Sequence, residues 1–184
     1  YDNKNLNREY PGKALGTVTE RIAYTISRQL FTQADFYLDL HGGDIHENLT
    51  PFVFYSTLGS SESSQLAKEA AKVMGIEYVI PSSSNNGAFG CAAAMNIPAI
   101  LSEIGGCGLW SEEEVQTYLA GVNNLLRFIG TLDGNVLDLG KSEELSPMGG
   151  LNAEQTGLWY PTVGLKEKVV VGQKVGEIRD CFGK

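Results

Sequence analysis

Only two histidines occur in the 184 residues, and both lie in the stretch LDLHGGDIHE, as His41 and His46, among Asp39, Asp44 and Glu47. Imidazole and carboxylate close together are the side chains of metal sites and of proton transfer. Their spacing, however, separates the two rings. Five residues along a strand place them on opposite faces and roughly 16 Å apart, and on a helix they would stand about 140° apart. His41 is the candidate ligand: it ends an apolar run, with Asp39 two residues back on the same strand face, where a carboxylate can orient the ring. Gly42 and Gly43 follow and leave little bulk around it. Asp44 is a better local co-ligand than His46, which with Glu47 reads as loop. A catalytic zinc takes three protein ligands and keeps one position open. With one convincing imidazole, either no metal binds or the remaining ligands precede Tyr1.

Glu103 stands in IPAILSEIGGCG, where an apolar run delivers a lone carboxylate just before Gly105 and Gly106. Partial desolvation there disfavours the charged form and raises the pKa toward a value useful for proton transfer. The plainer reading is an acid that caps a loop or pairs with a surface base. At the amino end, NLNREYPG joins Asn5, Asn7 and Arg8 to a Pro-Gly turn. A guanidinium with a neighbouring amide can take a carboxylate through parallel hydrogen bonds, although most arginines are simply exposed.

The elements that must position these groups alternate. Thr17 with Glu20 and Ser111 with Glu114 have capping-box spacing, which predicts helices over 17–32 and from 111 to about 129. The first would bury Val18, Ile22, Ile26 and Leu30. A third helix, SESSQLAKEAAKVMG, would bury Leu66, Ala70 and Val73 and stop at Gly75. Four short apolar runs, DFYLDLH, PFVFYS, IEYVIP and IPAILSE, read as buried strands. Strands alternating with helices predict an α/β domain with a mixed, largely parallel sheet, whose ligand crevice lies beyond the carboxyl ends of the strands. His41 and Glu103 both stand at such ends. After Leu132 the helical period is lost. Residues 1–131 are expected to form the catalytic domain, 132–152 a connection, and 153–184 a small all-β module of tight hairpins punctuated by glycines.

Composition narrows the partners. The apolar fraction of 42% and charged fraction of 20% suit a globular protein. With 14 basic against 22 acidic residues, a formal charge of -8 and no basic cluster, a nucleic-acid partner is not expected. No apolar run approaches the roughly 18 residues of a spanning helix, so no membrane partner is expected. Three scattered cysteines suggest neither a disulfide framework nor a zinc knuckle, and a cytoplasmic location is the default.

Three segments in order, NLNREYPG, LDLHGGD and SEIGG, resemble the succinylglutamate desuccinylase/aspartoacylase family, a branch of the zinc carboxypeptidase-like hydrolases, and TGLWYPTVG through VVVGQKVGEI resembles the β module that follows the catalytic domain in many bacterial members. The resemblance implies one Zn2+ ion, held by a His and a Glu of a His-x-x-Glu motif and by the histidine matching His41. It implies that Glu103 activates the attacking water and that Asn7 and Arg8 hold the carboxylate of a small-molecule substrate. No His-x-x-Glu occurs in these residues, so an amino-terminal truncation of the catalytic domain is expected, and the end DCFGK suggests that the β module is clipped as well.

The expected activity is zinc-dependent hydrolysis of the amide of an N-acyl amino acid or a similar small carboxylate. The rivals are a zinc carboxypeptidase or amidopeptidase on the same scaffold, and a catalytically inactive relative that only binds ligands. A biotinyl- or lipoyl-like carrier is a weaker reading of the β module, because Lys166, Lys168 and Lys174 lack the Met-Lys-Met or Asp-Lys-Ala setting that resemblance to carriers would require. The module is read instead as a lid or assembly element, which leaves a homo-oligomer open.

Overall fold

In the computed structural model, which describes residues 2–183, the chain divides into two compact units, Tyr1–Pro147 and Met148–Lys184. The first is built on a five-stranded sheet. Its strands are β1 (Tyr37–His41), β2 (Phe52–Ser56), β3 (Tyr78–Ser82), β4 (Ala99–Glu103) and β5 (Glu143–Glu144), in the order β1-β4-β2-β3-β5. β1 runs parallel to β4, and β3 is parallel to both β2 and β5; only the β2–β4 pairing is antiparallel. This is the mixed, largely parallel α/β sheet expected. The two-residue β5 lies in a stretch whose sequence has no strand signal.

The four helices are α1 (Val18–Gln29), α2 (Ser61–Val73), α3 (Gly87–Ala94) and α4 (Glu112–Phe128). Thr17 and Glu20 form the expected capping box of α1, and Ser111 and Glu114 that of α4. Glu20 also accepts from Lys13 Nζ at 2.9 Å and pairs with Lys4 at 3.2 Å, and these contacts hold its carboxyl down at about 2.

Strand alternation divides the core between the two faces of the sheet. Val53, Tyr55, Val79 and Ile100 pack with Ala67, Ala70 and Ala71 of α2, with Met74 just after it, and with Leu125 of α4. Ala99, with the half-buried Leu101, packs instead on Phe89 and Ala93 of α3. The helix faces differ from those expected. Val18 and Ile22 of α1, and Leu30 just after it, are exposed while Ala23 and Ser27 are buried, and in α2 the alanines face the sheet while Leu66 is exposed. Small side chains let these helices approach closely. The same logic holds at Gly121, where a Cβ would come within 2.9 Å of the Met74 carbonyl oxygen. α3 has no amphipathic period because it is buried on nearly every side, and so it gave no helical signal in the sequence.

Asn124 of α4, 1% exposed, ties the end of α2 to the segment that follows α4. Its amide donates to Val73 O at 2.6 Å and Leu137 O at 3.0 Å, and its carbonyl accepts from Leu137 N at 2.7 Å. Replacing it with Ala strands these backbone groups, and a loss of about 2 kcal/mol is expected. A urea midpoint unchanged from wild type would contradict this.

In the second unit, β6 (Leu158–Pro161) and β7 (Gly176–Arg179) pair antiparallel. Residues 162–175 make a long excursion between them rather than the tight hairpins expected. Turns at Gly164–Glu167 and Val170–Gln173 fold this segment back on itself. Among the described residues no helix is long and apolar enough to cross a membrane.

Candidate active site

β1 and β4 are direct neighbours in parallel register, with His41 opposite Glu103 as the last pair. Alternation puts Tyr37, Asp39 and His41 on one face, and Ala99, Leu101 and Glu103 line up beside them. His41 Nδ1 lies 3.3 Å from Glu103 Oε1, and His41 Nε2 lies 3.2 Å from Asp39 Oδ1. The other Asp39 oxygen accepts from the Tyr37 hydroxyl at 2.9 Å. On the opposite side, the Tyr118 hydroxyl of α4 lies 2.5 Å from the His41 carbonyl and 2.9 Å from the Ser102 carbonyl, which clamps the two strand ends together.

Beyond the strands the two Gly-Gly segments dovetail. Gly43 N donates to Gly105 O at 2.9 Å, Gly108 N to Gly43 O at 3.2 Å and Cys107 N to Glu47 O at 2.7 Å. A Cβ on Gly42 would sit 2.9 Å from Ile104 O, and one on Gly106 would sit 2.8 Å from Glu47 O. The paired glycines thus serve backbone approach between the loops, as well as leaving room at the strand ends.

The amino-terminal segment closes the cleft through the 3₁₀ turn Leu6–Arg8. Asn5 caps that turn by accepting from Asn7 N at 2.9 Å. Asn7 Oδ1 accepts from Ala88 N at 2.7 Å and so satisfies one of the orphan donors at the start of α3. Gly87, at φ +71, permits this, since a Cβ there would lie 2.5 Å from Asn7 Oδ1. The Asn7 carbonyl is therefore committed to the fold, and its NH2 group is the part suited to a ligand. Arg8 is exposed and steadied by one bond from Nη1 to Asn7 O at 3.3 Å.

All four residues expected from sequence, Asn7, Arg8, His41 and Glu103, line one cleft of about 570 Å³, together with Tyr10, Tyr37, Asp39, Asp44 and Glu47. That size suits a small molecule. Burial pushes the Glu103 carboxyl above the usual glutamate range; the adjacent His41 pulls the other way, and the negative charge of Glu47 adds to the rise. Burial, reinforced by Asp39, pushes the Tyr37 phenol far up. Nothing in the spacing of the chain signals Tyr118, whereas Tyr37 falls on the alternation that leads through Asp39 to His41.

His41 suits a metal ion. Its Nε2 lies beside the Asp39 carboxylate and its Nδ1 beside that of Glu103, and a carboxylate behind one ring nitrogen is the arrangement that orients a ligating imidazole. The other acidic groups at the cleft, Asp39, Asp44, Glu47 and Glu103, are carboxylates, and His41 is the imidazole among them. His46 is exposed, in a group with Asp44 and Glu47 whose ligand atoms lie within 4.8 Å of one another.

The chain is similar to several known proteins. A curated N-alpha-acetyl-L-2,4-diaminobutyric acid deacetylase from Halomonas elongata is 30% identical over 97% of this chain and 54% of its own length. The product-bound structure of the ectoine utilization protein EutE (DoeB) from Ruegeria pomeroyi superposes with a TM-score of 0.86 and 27% identity, over 97% of this chain and 56% of that one. A succinylglutamate desuccinylase/aspartoacylase structure from Rhodobacter sphaeroides shares the fold, with a TM-score of 0.85 and 24% identity over 97% of this chain and 56% of its own. The chain thus spans little more than half the length of these relatives. The family description "Succinylglutamate desuccinylase/Aspartoacylase catalytic domain" matches residues 1–129, the segment that carries every cleft residue named above. The chain belongs to the succinylglutamate desuccinylase/aspartoacylase family.

Proposed function

We propose that these residues form part of the active centre of a zinc-dependent deacylase that hydrolyses the amide of an N-acyl amino acid. The observation that carries this reading is the set of groups in one cleft: a half-buried carboxylate, an imidazole oriented by a second carboxylate, and a guanidinium. His41 is the metal ligand this chain contributes. Zinc, when bound, polarises the scissile carbonyl and makes water a usable nucleophile near neutral pH.

Glu103 takes the proton of the attacking water and returns it to the departing amine. Its burial suits it to both tasks, because a carboxyl whose charged form is disfavoured by burial is a stronger proton acceptor than a free one. Arg8 binds the substrate carboxylate, and the Asn7 NH2 group adds a donor beside it. This fixes the amide relative to Glu103 and removes much of the entropic cost of the reaction.

Charge supports a narrower substrate class. Asp39, Asp44, Glu47 and Glu103 line the cleft against the single guanidinium of Arg8, so a substrate with one carboxylate and one amine fits better than a dicarboxylic N-acyl group. The Halomonas elongata relative is named for such a substrate. With purified zinc-loaded protein, Nα-acetyl-2,4-diaminobutyrate is expected to exceed both N-succinylglutamate and short peptides in kcat/KM. Equal or faster peptide cleavage would favour the peptidase reading instead. In the same assay, Arg8→Ala is expected to raise KM roughly tenfold with a smaller effect on kcat, on the scale of one lost charge-assisted contact. An unchanged KM would remove Arg8 from substrate binding.

A further inference from the structure

We propose that Tyr37 is a positioning residue for the active-site imidazole: its hydroxyl locks the Asp39 carboxylate, which holds a proton on His41 Nε2 and keeps Nδ1 turned to the cleft. The inference rests on the reading of His41 as the metal-holding residue and extends it one step further from the cleft.

Tyr37, Asp39 and His41 are alternate residues of β1, so all three side chains rise from one face of the sheet. The two Asp39 oxygens are divided between its neighbours: Oδ2 accepts from the Tyr37 hydroxyl at 2.9 Å, and Oδ1 lies 3.2 Å from His41 Nε2. The carboxylate cannot rotate without breaking the Tyr37 bond, and rotation would carry Oδ1 away from Nε2. An ionised carboxylate only accepts, so the imidazole form that Asp39 can hold is the one with a hydrogen on Nε2. Glu103 Oε1, 3.3 Å from Nδ1, competes for the same hydrogen; with the hydrogen held on Nε2, the lone pair of the neutral ring belongs to Nδ1. Tyr37 is itself held, its ring edge-on to Phe31 with centroids 5.3 Å apart. Burial and the Asp39 charge keep its phenol protonated and therefore a donor.

Tyrosine at this site also fills the core beside Phe31 and Ala88, a role phenylalanine would fill equally well. The hydroxyl is what separates the two roles, and Tyr37→Phe isolates it. The readout is the imidazole ¹⁵N spectrum of the whole 184-residue chain without added metal. Its two histidines give two signal sets, and His46→Gln assigns them. In wild type, His41 is expected to carry a protected Nε2–H. In Tyr37→Phe, exchange of that hydrogen should quicken roughly tenfold or more, the scale of a lost bond to a charged group. Phe31→Leu, which loosens the ring but keeps the hydroxyl, should leave the Nε2–H in place.

Unchanged exchange in Tyr37→Phe would overturn the proposal, as would a wild-type His41 protonated on Nδ1 alone. Where zinc binds, competition with a chelator should show its affinity falling about tenfold in Tyr37→Phe, the usual cost of an outer partner, and an unchanged affinity would also overturn it. The underlying reading fails separately. If His41→Ala retains stoichiometric zinc, His41 is not the ligand, whatever the spectrum shows of Tyr37.

Discussion

Glu103→Gln should lower deacylation by at least about 10²-fold while zinc content stays at the wild-type level. Glutamine keeps the shape and volume of the side chain but cannot take a proton from water. Glu103 is the carboxylate that faces the cleft side of His41, 3.3 Å from Nδ1, and among the described residues no other acid is paired with His41 across the β1–β4 register. Stability should move in the other direction. Burial disfavours the ionised form of Glu103, and the charge of Glu47 adds to the penalty. A neutral amide therefore relieves a cost that the wild-type fold carries near pH 7, and the unfolding temperature should hold or rise. Loss of activity with preserved zinc and preserved stability is the signature of a proton-transfer residue. Turnover within a few-fold of wild type would remove Glu103 from that role.

For His41→Ala the expected loss is of metal itself. Outer partners of a ligating histidine typically cost 10–100-fold in affinity when mutated, and removing the ligand should exceed that, with activity falling in step. The variant also leaves Asp39 and Glu103 without the imidazole that separates their charges. His46 is the natural control because it is exposed and does not line the cleft. His46→Ala should bind zinc and turn over substrate as wild type does. Stoichiometric zinc in His41→Ala, measured by metal analysis after dialysis, would exclude His41 as a ligand.

Much of the candidate site was legible in the sequence because its residues lie at strand ends and beside turns, where local rules are strong. An apolar run that stops at a histidine or glutamate and then meets two glycines marks a side chain delivered to the rim of a sheet. Both capping boxes were legible for the same reason: a Thr or Ser with a Glu three residues on is a complete local device. The helix faces were not. Val18, Ile22 and Leu30 form a regular stripe, yet they are exposed, because burial depends on which surface the fold offers. At this sheet the fold offers room for alanine and serine. α3 escaped notice because a helix buried on nearly all sides has no polar face to give it a period.

From the sequence alone came helices α1, α2 and α4 and strands β1 to β4, the capping boxes, the mixed α/β architecture, the family resemblance and the two strand-end groups His41 and Glu103. All of these follow from contacts within a few residues or from short ordered motifs. Only the tertiary structure decided that β1 and β4 are neighbours with His41 opposite Glu103, that Tyr37 and Asp39 stand in line behind the imidazole, and that Asn7 reaches across to cap α3. The physical reason is degeneracy. Four short apolar strands can each pair with any other, and nothing local to a strand names its partner. That choice is made by the helices that must cover both faces and by the glycine loops, whose backbones interlock only when these two strand ends lie side by side.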